Sequence, residues 1–582
     1  PSRGKLVLLF MKVYWKTFVV ILAPIVCLFV IFLGIKYKKE KELMCAYVVC
    51  VMACYWVTEA VSTAITALLP VFFFPFFGLL SAERACMLYF KETTIMFVGS
   101  LIVASAIELS GLHIRFALKC LLIVGTSHRM LSLGLFLVTM FVSMWITNTA
   151  ATAMMTPIIF AVIQTLEEEN MCQLYTHVVD PNIPGSANVP SRTTLAYFLG
   201  TAYSASIGGT GTYVGTGTNL AAREQLEASY PNDVPQFHEW MIITCPIMLI
   251  NIFFLWLWIN FLFLGFLWKG GCDPQVKAVL MESKEEQKKV EKTIRSVIKT
   301  KYNDLGPMSW HEIITGLVFI FCVCLWFFRS PKFLPGWADR ILDVAYINDT
   351  NKTEYANYSI YENNDPKKEK KSHFLSKDAG AATFVIFLFF IIPSTLQCLR
   401  FFQSKATELP NEQGPGLMNW TTIHNKVSWG LLFVIGSGFT IAEASKVTGL
   451  SSMLGNFLKG LGGLSDYGIM FLSCLMSSLI TEFTSNVAVL NIIGPVILSM
   501  GTKLKLHGPY LFVPVAVSCS YAFMLPVGTP PNALVAGLAS IPTPQMIVAG
   551  SVPKLFFQMS TTTISHLIVP LLIKNGTKSL NV

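Results

Sequence analysis

Two short segments of this 582-residue chain combine hydroxyl and amide side chains inside long apolar runs. In the first, Ser143 lies four residues before Thr147, and Asn148 follows directly. On a helix the two hydroxyls would share one face, and hydroxyl, amide and carbonyl oxygens are the hard ligands that suit an alkali cation. We therefore predict a cation site in this segment. The second segment offers the same residue types at Thr481, Thr484, Ser485 and Asn486.

Two further segments carry a Gly-Thr step inside an apolar run, at Gly215-Thr216 and at Gly528-Thr529. Glycine permits the helix to unwind, and the prolines after the second step prevent immediate helical hydrogen bonding. A helix that restarts there has free N–H groups and about half a positive charge at its N-terminus. Such ends attract carboxylate or sulfate. The two steps therefore predict a site for a dianion, and none of the four segments contains Lys or Arg.

The four segments belong to an internal repeat. Three pairs of landmarks share one spacing of 338 residues: Gly111 and Gly449, Asn148 and Asn486, and Pro157 and Pro495. The Gly-Thr steps are 313 residues apart, because the first copy carries a longer loop at 166–195. Duplicated halves with interrupted apolar runs are the sequence pattern of a secondary transporter whose site lies near the bilayer midplane.

The composition is that of a polytopic membrane protein. Hydrophobic residues make up 53% of the chain and charged residues 13%, with a net charge of +9, whereas soluble domains carry about a quarter charged residues. These numbers exclude a soluble enzyme, a disordered chain and a small disulfide scaffold. The basic residues lie beside apolar runs, which indicates membrane topology rather than binding of nucleic acid. The 14 cysteines are scattered and predict no disulfide framework or metal cluster.

The apolar runs predict an all-α fold with about eleven transmembrane helices and two re-entrant hairpins, since a span needs roughly 20 helical residues. The run over 131–165 is too long for a single span and favours a hairpin with residues 147–149 at its tip. Its copy is the run over 467–500. Backbone that leaves the helix at membrane depth is tolerated only where protein buries it or where it lines a cavity.

Two polar inserts predict the orientation of the chain. The insert at 330–378 holds three glycosylation acceptors, Asn348, Asn351 and Asn357, and is predicted to be extracellular. A single apolar run separates it from the Lys- and Glu-rich insert at 269–306, which is then cytosolic. A fourth acceptor, Asn575, places the C-terminus outside. An odd number of spans then predicts a cytosolic N-terminus.

Five motifs carry a family resemblance: WVTEA at 56–60, TNT at 147–149, IGGTGT at 207–212, TEFTSN at 481–486 and GTPPN at 528–532. Together they resemble the divalent anion:sodium symporter (DASS) family, and within it the animal di/tricarboxylate branch near the insect INDY-like transporters. The resemblance implies transport of succinate, fumarate, malate and citrate across the plasma membrane, by a homodimer whose transport domains move past a fixed scaffold in an elevator-like cycle with two inverted repeats.

The resemblance also implies a division of the chain. Scaffold helices are expected at 1–93 and at 231–425, the transport-domain repeats at 94–230 and 426–541, and the last helix with the C-terminus at 542–582. A first sodium site is implied at Ser143, Thr147, Asn148 and Gly215, and a second at Thr481, Thr484, Asn486 and Gly528. Substrate contacts are implied at Asn148, Thr149, Thr216, Gly217, Asn486, Val487, Thr529 and Pro530.

Three positions depart from the family pattern. Thr147 stands where Ser is usual and keeps a hydroxyl, Gly217 stands where relatives often have Pro, and Val487 stands where Thr is usual and removes one carboxylate contact. Insect INDY members are described as sodium-independent exchangers. Exchange without sodium is therefore one alternative to sodium coupling, and sodium/sulfate cotransport is a second.

Functions of other classes are disfavoured. An enzyme would need an acid–base pair, a nucleophile or a metal cluster, and we expect the glutamates Glu59, Glu108, Glu443 and Glu482 to stand alone. The glycines at 209–217 lack the spacing of a nucleotide-binding loop. We therefore predict no enzyme activity and no cofactor besides sodium as a coupling ion. A channel is less consistent with paired interrupted helices than alternating access is.

Overall fold

The computed structural model describes most of the chain. The described residues are 10–124, 128–168, 173–178, 187–230, 233–265, 284–329, 336–337, 378–396, 414–427, 429–450, 453, 463–504 and 506–572. The acceptors Asn348, Asn351, Asn357 and Asn575 lie outside this part, so their glycosylation stays a prediction.

The N-terminal part consists of helices joined by short turns. They are α1 (Trp15–Tyr37), α2 (Glu40–Thr58), α3 (Thr63–Thr66), α4 (Leu69–Phe76), α5 (Ala82–Met87), α6 (Glu92–Ser110) and α7 (Leu112–Val124). Ser62 and Ser81 start α3 and α5 by accepting a backbone N–H three residues on, which satisfies a donor that the first turn leaves free. Gly111 ends α6 with φ of +76°, in the left-handed region that favours glycine.

The first hairpin and the first interrupted helix follow. The elements are α8 (His128–Ser143), α9 (Asn148–Glu168), β1 (Tyr175–Val178), β2 (Ala187–Pro190), α10 (Arg192–Gly208) and α11 (Gly217–Ser229). The strands pair antiparallel, with Tyr175 opposite Pro190. The predicted helical class holds, and this two-stranded pair is a local addition to it in the described chain. The pair lies in the loop that lengthens the first copy, away from both segments predicted to bind ligand.

The middle of the chain contains α12 (Phe237–Phe263), α13 (Lys284–Asp304), α14 (Trp310–Phe327) and α15 (Asp378–Ile391). The charged helix α13 belongs to the predicted cytosolic insert and packs against α7 and α9. Ser309 begins α14 through a capping box, in which its hydroxyl accepts the N–H of Glu312 while the Glu312 carboxylate accepts the N–H of Ser309.

The second copy repeats the order of the first. Its elements are α16 (Trp420–Lys426), α17 (Gly430–Thr448), α18 (Asp466–Ile480), α19 (Asn486–Lys503), α20 (Gly508–Ser518) and α21 (Pro530–Leu538), and α22 (Thr543–Leu572) ends the described chain. Gly449 ends α17 with φ of +83°, as Gly111 ends α6. The predicted repeat is thus reflected in helix boundaries as well as in residue types.

Eight helices in the described part of the chain are long and apolar enough to cross a membrane. The hairpin helices α8, α9 and α18 form shorter apolar segments. Many large apolar side chains on the spans are exposed, such as Phe29 on α1 and Phe253 on α12, which suits surfaces that face lipid. The polytopic class is confirmed.

A buried ion pair ties α7 to the start of α14. The guanidinium of Arg115 lies 3.1 Å from Glu312 Oε1 and donates to the carbonyls of Leu305 and Gly306, at 3.1 and 2.8 Å. These carbonyls follow the end of α13. One side chain therefore joins α7, the end of the Lys- and Glu-rich insert and the span α14.

We expect Glu312→Gln to lower the melting temperature of the purified protein, because Arg115 would stay buried without its counter-charge. Breaking a buried pair costs roughly 3–5 kcal/mol. Loss of monodisperse protein on size-exclusion chromatography after heating measures the change. The control is Arg84→Gln, since Arg84 pairs with Glu443 but its side chain is 56% exposed, and exposed pairs contribute about 0–1 kcal/mol. Equal melting temperatures for Glu312→Gln and the wild type would contradict the role given to Arg115.

Candidate binding site at the two hairpin tips

The first hairpin turns where the sequence predicts its tip. α8 ends at Ser143, and α9 begins at Asn148. The prediction that Ser143 and Thr147 share a helical face is wrong, because the helix ends between them. Thr147 instead starts α9: its hydroxyl accepts the N–H of Ala150 at 3.3 Å, which is a cap on the new helix.

Three oxygens meet at the end of α8. Ser143 Oγ lies 2.8 Å from Asn148 Oδ1 and 2.8 Å from the carbonyl oxygen of Ala205 on α10. A hydroxyl has a single proton to donate, so it satisfies one of these two oxygens and leaves the other to a cation, or to an N–H where the Asn148 amide is turned over. The donor set of hydroxyl, amide and carbonyl oxygens fits a sodium ion.

The second hairpin repeats this geometry. Thr481 Oγ1 lies 2.8 Å from Asn486 Oδ1 and 2.8 Å from the carbonyl oxygen of Cys519, just after α20. Ser485 caps α19 as Thr147 caps α9, through the N–H of Ala488 at 3.3 Å. The structure thus brings together Ser143 with Asn148 and Thr481 with Asn486.

Thr484 does not join the second cluster through its side chain. Its hydroxyl is buried and donates to the carbonyl of Trp56 on α2 at 3.1 Å. The donated proton leaves the lone pairs of the hydroxyl oxygen free, so this contact does not exclude Thr484 as a sodium ligand. The contact instead fixes the tip of the second hairpin against the N-terminal helices, and it involves the first residue of the WVTEA motif.

The interrupted helices are held open by two asparagines that were not predicted as site residues. Asn219 Nδ2 donates to the carbonyls of Gly209 and Thr212, at 2.9 and 2.7 Å. In the second copy, Asn532 Nδ2 donates to the carbonyls of Ala522 and Leu525, at 3.0 and 3.2 Å. The signal for this role was present in the sequence, because each asparagine stands four residues after a Gly-Thr glycine.

The glycines of the Gly-Thr steps serve close packing. A Cβ atom on Gly215 would lie 2.5 Å from the carbonyl oxygen of Gly209, and one on Gly528 would lie 2.9 Å from Ala522 Cβ. Neither glycine has a positive φ. The expectation that they act by conformational freedom is corrected: any larger residue would push the interrupted segment apart.

The two copies meet at the starts of the restarted helices. α9 packs against α21, and α11 packs against α19. A Cβ on Gly217 would lie 3.4 Å from Val487 Cγ2, so the first interrupted helix touches the second hairpin tip. The N-termini of α9, α11, α19 and α21 are those that carry the predicted substrate residues.

The predicted substrate residues differ in exposure. Asn148, Thr216, Gly217 and Asn486 are half-buried, Thr149 and Pro530 are exposed, and Val487 and Thr529 are buried. Thr529 Oγ1 has no hydrogen-bond partner among the described residues. A buried hydroxyl without a partner is costly, so this atom is available to a ligand.

A charged pair lies behind the second hairpin tip. Glu482 accepts the backbone N–H groups of Phe523, Met524 and Leu525, at 2.9 to 3.1 Å, and Lys554 Nζ from α22 lies 2.6 Å from its Oε1. Sequence reasoning missed Lys554, which is 72 positions from Glu482. The carboxylate holds the interrupted segment of the second copy, whereas the matching residue of the first copy is the apolar Met144.

The expectation that the membrane glutamates stand alone is wrong for three of them. Besides Glu482, Glu108 lies 2.7 Å from Lys426 Nζ, and Glu443 lies 3.1 Å from Arg84 Nη2. The last two ion pairs each join a short helix to a long one from the other half of the chain: Lys426 links α16 to α6, and Arg84 links α5 to α17. They are structural links and form no acid–base pair suited to catalysis.

The two hairpins differ in how they pack. α19 packs against α17, but α9 makes no comparable contact with α6, its partner by the repeat. A cavity of about 520 Å³ lies there instead, lined by Glu108, His113, Met154, Pro157 and Lys301 among others. Burial lowers the pKa of His113. At the matching position of the second copy the cavity is about 270 Å³.

The chain matches the family model of the "Sodium:sulfate symporter transmembrane region" over residues 12–573. It is 38% identical over 552 residues to "Protein I'm not dead yet" of Drosophila melanogaster, and the matched region covers 93% of this chain and 86% of that protein. It is 35% identical over 566 residues to the "Na(+)/citrate cotransporter" of Rattus norvegicus, covering 92% of both chains. It is also 32% identical over 576 residues to the rat "Na(+)/dicarboxylate cotransporter 3", covering 92% and 88%.

These matches cover nearly the whole chain, including both hairpins and both interrupted helices. They confirm the predicted family, and they confirm that the protein is a transporter and not an enzyme. The chain therefore belongs to the sodium:sulfate symporter family of multi-pass membrane transporters.

Proposed function

We propose that this protein carries succinate, fumarate, malate and citrate across the plasma membrane and couples their movement to sodium. The observation that carries the proposal is the pair of three-oxygen clusters, at Ser143 and Thr481, beside four helix N-termini. The names of the relatives, a citrate and a dicarboxylate cotransporter among them, support the choice of a carboxylate substrate.

Sodium would occupy the two oxygen clusters. The first consists of Ser143, Thr147, Asn148 and the backbone at Gly215, and the second of Thr481, Thr484, Asn486 and the backbone at Gly528. The close approach of Gly215 to the Gly209 carbonyl supports a backbone contribution. In both clusters the hydroxyl has one proton for two neighbouring oxygens, so lone pairs remain for a monovalent cation.

The substrate would lie between the hairpin tips. Its carboxylates would meet Asn148, Thr149, Thr216, Gly217, Asn486, Val487, Thr529 and Pro530, which lie at or beside the starts of helices. Free N–H groups at helix N-termini stabilise anions without a basic side chain. Two sodium ions beside a dicarboxylate would also leave the bound assembly neutral, and a neutral assembly crosses the bilayer core at lower cost than a dianion.

The transport cycle follows from the family. We propose a homodimer with eleven spans and two re-entrant hairpins, in which 94–230 and 426–541 form the moving repeats and the remaining helices form the scaffold. The N-terminus and the insert at 269–306 would be cytosolic, and the insert at 330–378 and the C-terminus extracellular. The packing of α13 against α9 supports the assignment of the cavity at Pro157 to the cytosolic face.

Two alternatives remain within transport. The first is sodium-independent exchange of di- or tricarboxylates, which the similarity to the Drosophila protein supports. The second is cotransport of sodium with sulfate, for which the helix N-termini would serve equally well. Neither alternative explains the two matched oxygen clusters and the carboxylate relatives together.

We expect saturable uptake of radiolabelled succinate and citrate into proteoliposomes when sodium is outside, and little uptake when choline replaces sodium. The reason is that each hydroxyl cluster needs a cation before the hairpin tip can hold an anion. Protein-free liposomes are the control. Equal uptake of the two acids in choline would favour the exchanger. Uptake of sulfate that succinate does not inhibit would favour sulfate transport. Uptake of neither succinate nor citrate would refute the proposal.

We expect Asn148→Ala and Asn486→Ala to abolish transport without loss of surface expression, because each amide oxygen serves both a cation and the substrate. Ser143→Ala and Thr481→Ala remove one cation ligand each and should raise the half-saturating sodium concentration about tenfold, equivalent to roughly 1.4 kcal/mol.

The conservative variants Ser143→Thr and Thr481→Ser keep the hydroxyl and are the matched controls. Sodium-dependence curves of succinate uptake measure the effect. Wild-type curves for both alanine variants, or normal uptake by both asparagine variants, would show that these clusters are not cation sites.

We expect Val487→Thr to change substrate preference and leave folding intact, because the two side chains have similar shape and the threonine restores a hydroxyl beside Gly217. The measurement is inhibition of succinate uptake by citrate, malate and sulfate in the variant and the wild type. Val489→Thr, at a buried position two residues further along α19, is the control for a hydroxyl inside the helix. Unchanged inhibition profiles for Val487→Thr would remove Val487 from the site.

A further inference from the structure

One face of the transporter is closed by polar side chains that have no counterpart on the other face. On this face α11 and α19 pack against α17. Gln225 Nε2 of α11 donates to Asn491 Oδ1 of α19 at 3.1 Å, and Asn491 Nδ2 donates to the carbonyl of Val434 on α17 at 2.7 Å. Both side chains are fully buried. Two amides thus link three helices in a line.

The fit of these amides is tight. A Cβ atom on Gly438 of α17 would lie 2.2 Å from Asn491 Oδ1, and one on Gly494 of α19 would lie 1.9 Å from Gln225 Oε1. Only glycine leaves room at either position. The helices can therefore approach closely enough for the amides to bridge them.

An ion pair between a buried carboxylate and a partly exposed lysine lies beside the amides. Lys91 Nζ, at the start of α6, is 3.6 Å from Glu224 Oε1 on α11 and 5.0 Å from the ring centre of Phe439 on α17. Glu224 is 3% exposed, and its carboxylate has no hydrogen-bond partner among the described residues. A buried carboxylate is costly unless it is paired. Lys91 is therefore the group that compensates its charge in this conformation.

The repeat identifies the matching positions on the opposite face. Lys91 corresponds to Trp429 and Asn491 to Ala153 at the spacing of 338, and Glu224 and Gln225 correspond to Gly537 and Leu538 at the spacing of 313. None of these four residues can form an ion pair or an amide bridge. There α9 stands off from α6, and the cavity of about 520 Å³ fills the gap.

We propose that Lys91 and Glu224, together with Gln225 and Asn491, form a latch that closes the outer face of the transporter while the inner cavity is open. The four side chains are positioning residues and contact neither substrate nor sodium. The inference rests on the proposed function for the orientation of the chain and for the movement, and it narrows the moving unit to the parts of the repeats that carry α11 and α19, while α6 and α17 stay with the scaffold.

The physics of the pair suits a reversible closure. In the closed state the attraction to Lys91, whose side chain is 33% exposed, roughly offsets the cost of burying the Glu224 carboxylate. When α11 moves away, the two groups enter the outer cavity, which Lys91 already lines with Lys446 and Lys503, and water hydrates them. Neither state is strongly favoured by the pair as a whole. Removal of Lys91 leaves the Glu224 charge buried without its partner, and removal of Glu224 ends the attraction that holds α11 to Lys91, so each change destabilises the closed state alone.

The test measures the accessibility of single introduced cysteines to a membrane-impermeant maleimide. Leu498→Cys reports the outer cavity in intact cells, and Met154→Cys reports the inner cavity in inside-out vesicles. We expect Lys91→Gln and Glu224→Gln each to speed labelling at position 498 about fivefold and to slow labelling at position 154. A fivefold change corresponds to a coupling free energy that is typical of residues in contact. Proteins without the introduced cysteine give the background.

The charge-swapped protein with Lys91→Glu and Glu224→Lys should label at the wild-type rate. Gln225→Leu introduces the residue that the other repeat has at this position. It should open the outer face without leaving a buried charge, so it tests the latch even if a charge variant does not fold. Arg84→Gln is the matched control, because Arg84 pairs with Glu443 of the same cavity but makes no link to α11.

Unchanged labelling in the folded single variants, or a charge-swapped protein that labels as fast as they do, would overturn the latch. Labelling needs no substrate. A failure to transport succinate or citrate by the wild-type protein would therefore refute the proposed substrate and leave the labelling result to decide on the latch.

Discussion

Backbone that leaves the helix at membrane depth must find partners for its N–H and C=O groups inside the protein, because lipid provides none. This constraint governs the two interrupted helices. Asn219 and Asn532 each satisfy two carbonyls with one amide group, so that both breaks take the same shape. The carbonyls of Ala205 and Cys519, just before the breaks, are turned to the hairpin hydroxyls. The oxygen clusters exist because the breaks are held open.

The two copies solve the same problem with different chemistry at one point. In the second copy Glu482 binds three successive N–H groups of the break and is itself neutralised by Lys554 from α22. In the first copy the matching position is Met144, and the thioether packs against Gly211. An ion pair thus ties the second break to α22. The first break is tied to α12 by neutral hydrogen bonds, from Trp240 to the carbonyl of Thr210 and from Thr244 to the carbonyl of Gly211, at 3.1 Å each.

The two faces of the protein differ in how tightly their helices pack, although the repeat places corresponding helices on both. The two copies have the same order of helices, so the differences between the two faces arise from the side chains. One face carries the Lys91–Glu224 pair and the Gln225–Asn491 amides, and the other carries small or apolar residues at the same positions. The structure accordingly combines tight packing on one side with a large cavity on the other. A transporter with alternating access requires such an inequality.

The sequence by itself determined the membrane class, the repeat and the identity of the hairpin tips. These features depend on hydropathy and on the spacing of Gly, Asn and Pro, which are local properties. Only the tertiary structure decided that Ser143 meets Ala205, that Thr484 turns to Trp56, and that Lys554 neutralises Glu482. The four predicted segments contain no basic residue, so nothing in them indicated that Lys554 of α22 would lie against Glu482. Such contacts join residues far apart in the chain, and no local pattern records which carbonyl or carboxylate lies opposite a given side chain once the helices have packed.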